Sequence, residues 1–313
     1  MHSSRSIFIF FIVMFLASCE RDLPIPEQDE CYSFGTSSSP LGFQYEYADY
    51  LFREPAYNPL NSDEFIYVRE DKLNNSSTEL RKHIISTGFD QVLTTNVWGV
   101  PDWHQNGWII FRRTDNQVWK IKSDGDSLIQ LTFSGTHLGP RWNTSGDKFV
   151  CSWDNQTLIA ASNGIPVDTI PEFLFYYGDW SSDETKLCSV ISSMSGEYLA
   201  YYDINSSTQT LVAEVPQGEF IIEAYWLDSR FIYWVTRRGV YKTDIVGNVT
   251  SRVTPSCDSK FWWSFQFSGD GQNIIWERAN FRLTGANANT IYQENHIYVT
   301  NLDCTNEQKI DLE

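Results

Sequence analysis

The sequence predicts an all-β protein made of six repeats of four antiparallel strands. Three observations carry that expectation. A short phrase recurs along the chain: an aromatic residue, a polar tight turn, then a β-branched and aromatic run. The recurrence has a nearly fixed period. The composition is that of a rigid β-rich protein, with 12 Trp, 3 Met and 15% aromatic residues in a chain of 313. The best-preserved copy is Phe267-Ser-Gly-Asp-Gly-Gln-Asn-Ile-Ile-Trp276. Asp270-Gly271 is strong turn chemistry, because Asp hydrogen-bonds its own backbone and Gly tolerates positive φ. Ile274, Ile275 and Trp276 then have the character of a buried strand.

The copies follow in order. Asn61-Ser-Asp-Glu64, leading into Phe65-Ile-Tyr-Val68, is a degenerate first copy. Trp103, Trp142, Trp180, Trp226 and Phe267 anchor the other five, at spacings of 39, 38, 46 and 41 residues. Each unit closes alike, with a third strand, a polar turn and a short fourth strand. In unit two these are Val118-Trp-Lys-Ile121, Ser123-Asp-Gly125 and Leu128-Ile-Gln-Leu-Thr132. Unit five has Val240-Tyr-Lys-Thr243 and Arg252-Val-Thr254, and unit six has His296-Ile-Tyr-Val299 and Lys309-Ile-Asp-Leu312. A period near 40 with four strands per unit is the signature of a β-propeller blade. Residues 43–313 are therefore expected to form a six-bladed β-propeller. Its ring is expected to close by packing between blades six and one, with 43–47 as a competing extra strand.

The repeat resembles the TolB-like propeller repeat, whose turn reads W-S-x-D-G and whose fourth strand ends in L-T. Ser268-Gly-Asp-Gly271 and Leu131-Thr132 carry the match best. The resemblance implies a propeller that folds without a cofactor. TolB itself has an additional N-terminal α/β domain, for which residues 20–42 leave no room, so its role in the Tol system does not carry over.

The N-terminus reads as an address. A basic start at Arg5 precedes an apolar run over residues 7–16, short for a bilayer span. Leu16-Ala-Ser-Cys19 resembles a bacterial lipobox. That resemblance implies a signal peptide over residues 1–18 and acylation of Cys19, anchoring the chain to a membrane. Residues 19–42, with Pro24, Pro26 and Ser37-Ser-Ser-Pro40, read as a flexible tether. The expected location is the bacterial cell envelope, at the outer membrane. The formal charge of −17 argues against a nucleic-acid partner.

Blade topology sorts the loops onto two faces. The Asp-Gly turns share one. The connections at residues 95–100, 133–139, 172–178, 216–223 and 255–262 share the other, the mouth, with the second-to-third loops at 69–78 and 278–294. Long segments on a rigid scaffold tend to carry function. The mouth is rich in aromatics, which suit a sugar ring or a peptide side chain. Trp98, His137, Tyr177 and Trp262 are candidate ligand contacts there. Asp102, Arg141, Asp179 and Tyr225, each just before an anchor aromatic, occupy equivalent positions with Gln266; such a polar set either lines part of the channel or only satisfies buried backbone, and the four join the candidate set.

No set of residues reads as catalytic. His83, His104, His137 and His296 lie in different units and lack metal-ligand spacing. There is no Gly-x-Ser-x-Gly elbow and no phosphate loop. Neither metal nor cofactor is expected. Cys151 and Cys188 read as buried thiols, while Cys31 could reach Cys257 or Cys304. The expected function is non-catalytic binding or scaffolding of a protein, peptide or glycan at the mouth. The alternatives are a lyase-like carbohydrate-active enzyme and a purely structural envelope lipoprotein.

Overall fold

A computed structural model describes residues 44–312, apart from 172, 194–195, 217–218, 238, 255–259 and 285–289. The expectations for the signal peptide, Cys19, the tether, Cys31 and Cys257 lie outside the described residues.

The chain forms six four-stranded antiparallel sheets, each a meander in sequence order. Blade one is β2 (Tyr50–Asn58), β3 (Asn61–Asp71), β4 (Ser77–Ile84) and β5 (Phe89–Thr95). Blade two is β6 (Asp102–Trp103), β7 (Trp108–Arg112), β8 (Val118–Lys122) and β9 (Ile129–Gln130). Blade three is β10 (His137–Trp142), β11 (Lys148–Trp153), β12 (Gln156–Ala161) and β13 (Pro166–Ile170). Blade four is β14 (Asp179–Trp180), β15 (Lys186–Ser193), β16 (Gly196–Asp203) and β17 (Thr208–Glu214). Blade five is β18 (Ile221–Trp226), β19 (Phe231–Thr236), β20 (Gly239–Asp244) and β21 (Val249–Arg252). Blade six is β22 (Lys260–Phe267), β23 (Asn273–Thr284), β24 (Thr290–Asn301) and β25 (Gln308–Lys309). The architecture is the six-bladed β-propeller that the repeat implied.

A blade is apolar on both faces and must be covered by its neighbours. Six buried clusters do this, one at each joint of the ring. Trp103 and Ile109 of blade two pack on Ile66 and Leu80 of blade one. Trp142 and Phe149 pack on Ile110 and Leu131, and Trp180 and Leu187 on Val150 and Ile159. Trp226 and Trp234 pack on Cys188 and Leu199, and Trp262 and Trp276 on Tyr225 and Tyr233. The sixth joint sets Phe52, Tyr57, Phe65 and Tyr67 against Ile275, Ile297 and Ile310. Side-chain packing holds the closing joint, but not alone as expected: the extra strand set out as the alternative is present. A fifth strand, β1 (Gln44–Tyr47), adds to it by pairing parallel with β24, Gln44 opposite Thr290 and Tyr47 opposite Gln293.

The recurring turn has one mechanism. In blade six the Ser268 hydroxyl donates to Asp270 (2.6 Å) and accepts from the Asn273 N–H (3.0 Å), while Asp270 accepts from the Gln272 N–H (3.1 Å). Blade four repeats this with Ser181, Asp183, Thr185 and Lys186. Local side-chain acceptors of this kind fix a turn without help from the core.

Two expectations need correction. The fourth strand of blade five lies at Val249–Arg252, not 252–254. Much of the expected loop over 278–294 is strand. The β23–β24 ladder runs out to the pair Thr284–Thr290.

Candidate functional site at the mouth of the channel

The innermost strands β2, β6, β10, β14, β18 and β22 line the central channel. Counting back from the anchor aromatics Tyr57, Trp103, Trp142, Trp180, Trp226 and Phe267 gives two rings of side chains.

The first ring, one residue back, is Ala56, Asp102, Arg141, Asp179, Tyr225 and Gln266. These side chains bond across the channel. Arg141 donates to the Tyr225 hydroxyl, joining blades three and five. Gln266 donates to Asp102 (3.1 Å), joining blades six and two. Asp102 also accepts from the Trp142 N–H (2.7 Å), and Asp179 accepts from the Trp180 N–H (2.8 Å) and the Trp226 N–H (3.2 Å). The ring is a crossbar that satisfies backbone donors at the blade joints. Burial works against the Arg141 charge, but Tyr225, Glu223, Asp102 and Asp179 outweigh it and hold the guanidinium firmly protonated. Burial pushes Asp179 up to about 7, helped by Asp102 and opposed by Arg141 and the two backbone donors.

The second ring, three residues back, is Glu54, Val100, Gly139, Tyr177, Glu223 and Ser264. The inner strands are irregular here. Register shifts fall between Arg53 and Ala56, Leu138 and Arg141, Ile221 and Glu223, and Trp262 and Phe265. Glu54 and Tyr177 hold φ of 53° and 46°, a left-handed conformation uncommon for such residues. Gly139 holds φ of 54°, and a Cβ there would meet the Tyr177 ring at 3.1 Å. Bulges re-aim side chains, and backbone strain of this kind concentrates at functional sites.

Above this second ring opens a cavity of about 740 Å³. Trp98, Tyr176, Tyr177, Phe220 and Trp263 supply its aromatic wall, with Leu174, Val190 and Ile222 between them. Trp98 and Tyr176 are 45% and 40% exposed, so the rim is open. Its charged part is Arg53, Glu54, Glu70, Glu197 and Glu223. Arg53 pairs with Glu70 (2.9 Å) and with the buried Glu277 (3.5 Å), and Lys72 pairs with Glu70. The Glu54 N–H donates to Glu277 (3.0 Å). Glu223 takes the Tyr225 hydroxyl (3.2 Å) and the Phe265 N–H (3.3 Å), with Arg141 at 3.7 Å. Burial raises Glu54 and Glu223 against the pull of Arg141, and Arg53 also opposes the rise at Glu54. Burial raises Glu277 to about 7 against the pull of Arg53.

The residues singled out in the sequence divide three ways. Trp98 and Tyr177 line the mouth cavity. Asp102, Arg141, Asp179 and Tyr225 form the crossbar and face a smaller cavity of about 320 Å³ on the Asp-Gly-turn side. His137 and Trp262 face neither. His137 is buried, its Nε2 3.0 Å from the Ser134 carbonyl and its ring stacked on Trp153. Trp262 is buried at the joint with blade five and packs on Trp276. The register shift after Trp262 turns its neighbour Trp263 to the cavity instead. Sequence reading also missed Glu54 and Glu223, which one further side-chain period back from the anchors would have found. Among the described residues no three His, Cys, Asp or Glu side chains gather as metal ligands. Cys151 and Cys188 are buried free thiols, and Cys304 is free.

Fold and channel together define a six-bladed, TolB-like β-propeller with an open, acidic and aromatic mouth. The chain is similar to a protein assigned as a TolB from Agrobacterium tumefaciens, with a TM-score of 0.59 and 16% identity over 72% of this chain and 86% of that one. It is also similar to TolB from Acinetobacter baumannii, with a TM-score of 0.51 and 17% identity over 64% of this chain and 53% of that one. The β-propeller domain of the Trilobed protease from Pyrococcus furiosus matches with a TM-score of 0.55 and 9% identity, over 85% of this chain and 99% of that domain. At these identities the likeness is one of fold. The sequence matches no protein-family model and no curated protein.

Proposed function

We propose that this chain is a lipid-anchored propeller of the bacterial cell envelope that binds a protein, peptide or glycan at its mouth without chemically altering it. The observation that carries the reading is the cavity of about 740 Å³, walled by Trp98, Tyr176, Tyr177, Phe220 and Trp263 at the face where the inter-blade connections gather. An apolar concavity with a few convergent polar groups is the usual form of a binding site. The TolB-like fold supports an envelope setting, and the Leu16-Ala-Ser-Cys19 motif supports the anchor.

Two experiments test this. Affinity capture from envelope extracts is compared between wild type and the double variant Trp98→Ala/Tyr176→Ala. Loss of a specific partner is expected, and unchanged recovery would remove the mouth as the binding site. Metabolic labelling with palmitate should mark wild type and leave Cys19→Ser unlabelled. Equal labelling would refute the anchor.

A further inference from the structure

We propose that the mouth rim rests on a lipid bilayer, with an arc of aromatic side chains from blade six round to blade three seated at the level of the headgroups. The inference rests on the lipid-anchor reading of Cys19 and goes beyond it, since an anchor alone leaves either face free to turn to the membrane.

The exposed aromatics are sorted by face. Among the described residues seven are exposed, and six of them lie at the mouth end. Tyr45 and Tyr47 are on β1, beside blade six, and Tyr50 opens β2. Trp98, Phe133 and Tyr176 lie on the connections that leave blades one, two and three, and Phe133 is 78% exposed. The seventh, Phe89, is on the turn side, where the other exposed apolar corners are aliphatic: Leu60, Leu128, Ile165 and Val246. Tyr and Trp collect where one end of a side chain is wet and the other apolar, which is the condition at the membrane–water interface.

The entry of the chain is an independent observation. β1 runs parallel to β24 with Gln44 opposite Thr290, at the end of that strand nearest the mouth. What precedes Gln44 therefore joins the propeller on the mouth side. About 25 residues separate Gln44 from Cys19, and a flexible chain of that length has a root-mean-square span of about 25–30 Å. An acylated Cys19 would hold the rim within that distance of the bilayer. At the high effective concentration a short tether creates, weak interfacial contacts suffice. The turn face lies farther off by the length of a strand, about 17–20 Å.

The charges on the arc select the kind of bilayer. Lys72 pairs with Glu70 and lies over the Tyr47 ring (4.8 Å). Arg69 pairs with Glu79 (2.9 Å) and lies over the Tyr50 ring (4.9 Å). The basic groups are thus neutralised within the chain. Glu46 and Asp49 are exposed beside them, and the net charge is −17. An anionic surface would be repelled, so the fitting partner is a zwitterionic bilayer held by aromatic insertion. Trp98 and Tyr176 also line the cavity, so a ligand bound there would sit at headgroup level.

The test places the acylated full chain in phosphatidylcholine vesicles and marks each face with an added tryptophan, Phe133→Trp at the mouth and Val246→Trp on the turn side. Phosphatidylcholine brominated near the top of its acyl chains quenches tryptophan at the interface. The emission that Phe133→Trp adds to wild type should be quenched at least threefold more than the emission that Val246→Trp adds. Equal quenching, or more at Val246→Trp, overturns the proposal. Tyr47→Ser/Phe133→Ser, neither of which lines the cavity, should at least halve the quenching of native emission with the melting temperature unchanged. Unchanged quenching in that folded variant also overturns it. Replacing half of the lipid by phosphatidylglycerol should reduce quenching, and an increase would refute the zwitterionic assignment. If the Cys19→Ser chain without lipid buries the Phe133→Trp indole as its concentration rises, a second copy covers the rim and the proposal falls. Vesicles that fail to retain wild type would refute the anchor and this proposal with it. Retention with an unquenched mouth leaves the anchor and the mouth-binding reading standing and removes the bilayer contact alone.

Discussion

The two ends of the channel use the same strands for different ends. On the turn side, the crossbar of Asp102, Arg141, Asp179, Tyr225 and Gln266 spends its donors and acceptors on its own chain, and the space left is about 320 Å³. On the mouth side, two residues further back, four of the inner strands shift register, Glu54 and Tyr177 hold left-handed φ, and Trp98 and Tyr176 are exposed at the rim. One end is finished within the fold. The other is held open at some cost in strain and desolvation. That asymmetry, more than the presence of a pocket, is what supports the proposal that the mouth is the working end.

The comparison can be tested from its strongest element downward. Arg141→Met removes the cation that Glu223, Asp102 and Asp179 all face. Leaving buried carboxylates without a counter-charge typically costs about 3–5 kcal/mol. A large fall in melting temperature is expected, and a loss under about 1 kcal/mol would mean the crossbar is not the structural element described.

Gly269→Ala strikes the turn side at the closing joint, where a Cβ would lie 1.8 Å from the Pro59 carbonyl oxygen of blade one. Backbone against backbone cannot yield easily, so a destabilisation of about 3 kcal/mol is expected. Partner capture by the folded fraction should be unchanged.

The third prediction concerns pH. Asp179 titrates near 7 in the folded chain and near 4 in the unfolded one. Between those values the folded state holds the extra proton, so stability is greatest below about pH 4 and falls as pH rises toward 7. Access to the lower cavity tempers the effect to about 2 kcal/mol. Asp179→Asn should flatten the pH dependence of urea midpoints over that window, and an unchanged slope would refute the assignment.

Smallest in stability are the mouth variants. Glu54→Gly relieves a left-handed conformation and should stabilise by about 1 kcal/mol or less, while weakening binding. Trp98→Ala should change stability by under about 0.5 kcal/mol and still abolish partner capture. A gain in stability with no loss of binding would sever the link between strain and function.

The fold was legible because each blade spells its own turn. Ser268-x-Asp270 and Ser181-x-Asp183 fix their corners locally, and the anchor aromatic before each fixes a joint. The crossbar was legible for the same reason, since it lies one residue from the anchor. The mouth was legible only in part: Glu54 and Glu223 keep the two-residue period back from the crossbar, while the aromatics of its wall lie on connections and at register shifts where that period gives no guide. Trp262 and Trp263 are adjacent and alike in sequence, and only the register shift decides which is core and which is wall. The β23–β24 hairpin was misread as a loop because polar residues such as Arg282 and Gln293, both half-buried, pair there as strand.

The parallel pairing of β1 with β24 has a mechanical consequence. Gln44 sits opposite Thr290, at the mouth end of its partner, so the chain enters the fold from that side. A pull on the N-terminus along the strand direction loads the four residue pairs of this short ladder in shear, before any force reaches blade one. Behind them β22, β23, β24 and β25 remain one sheet. This short ladder is thus the first part of the fold to bear such a load, while the ring is also held by packing at its sixth joint.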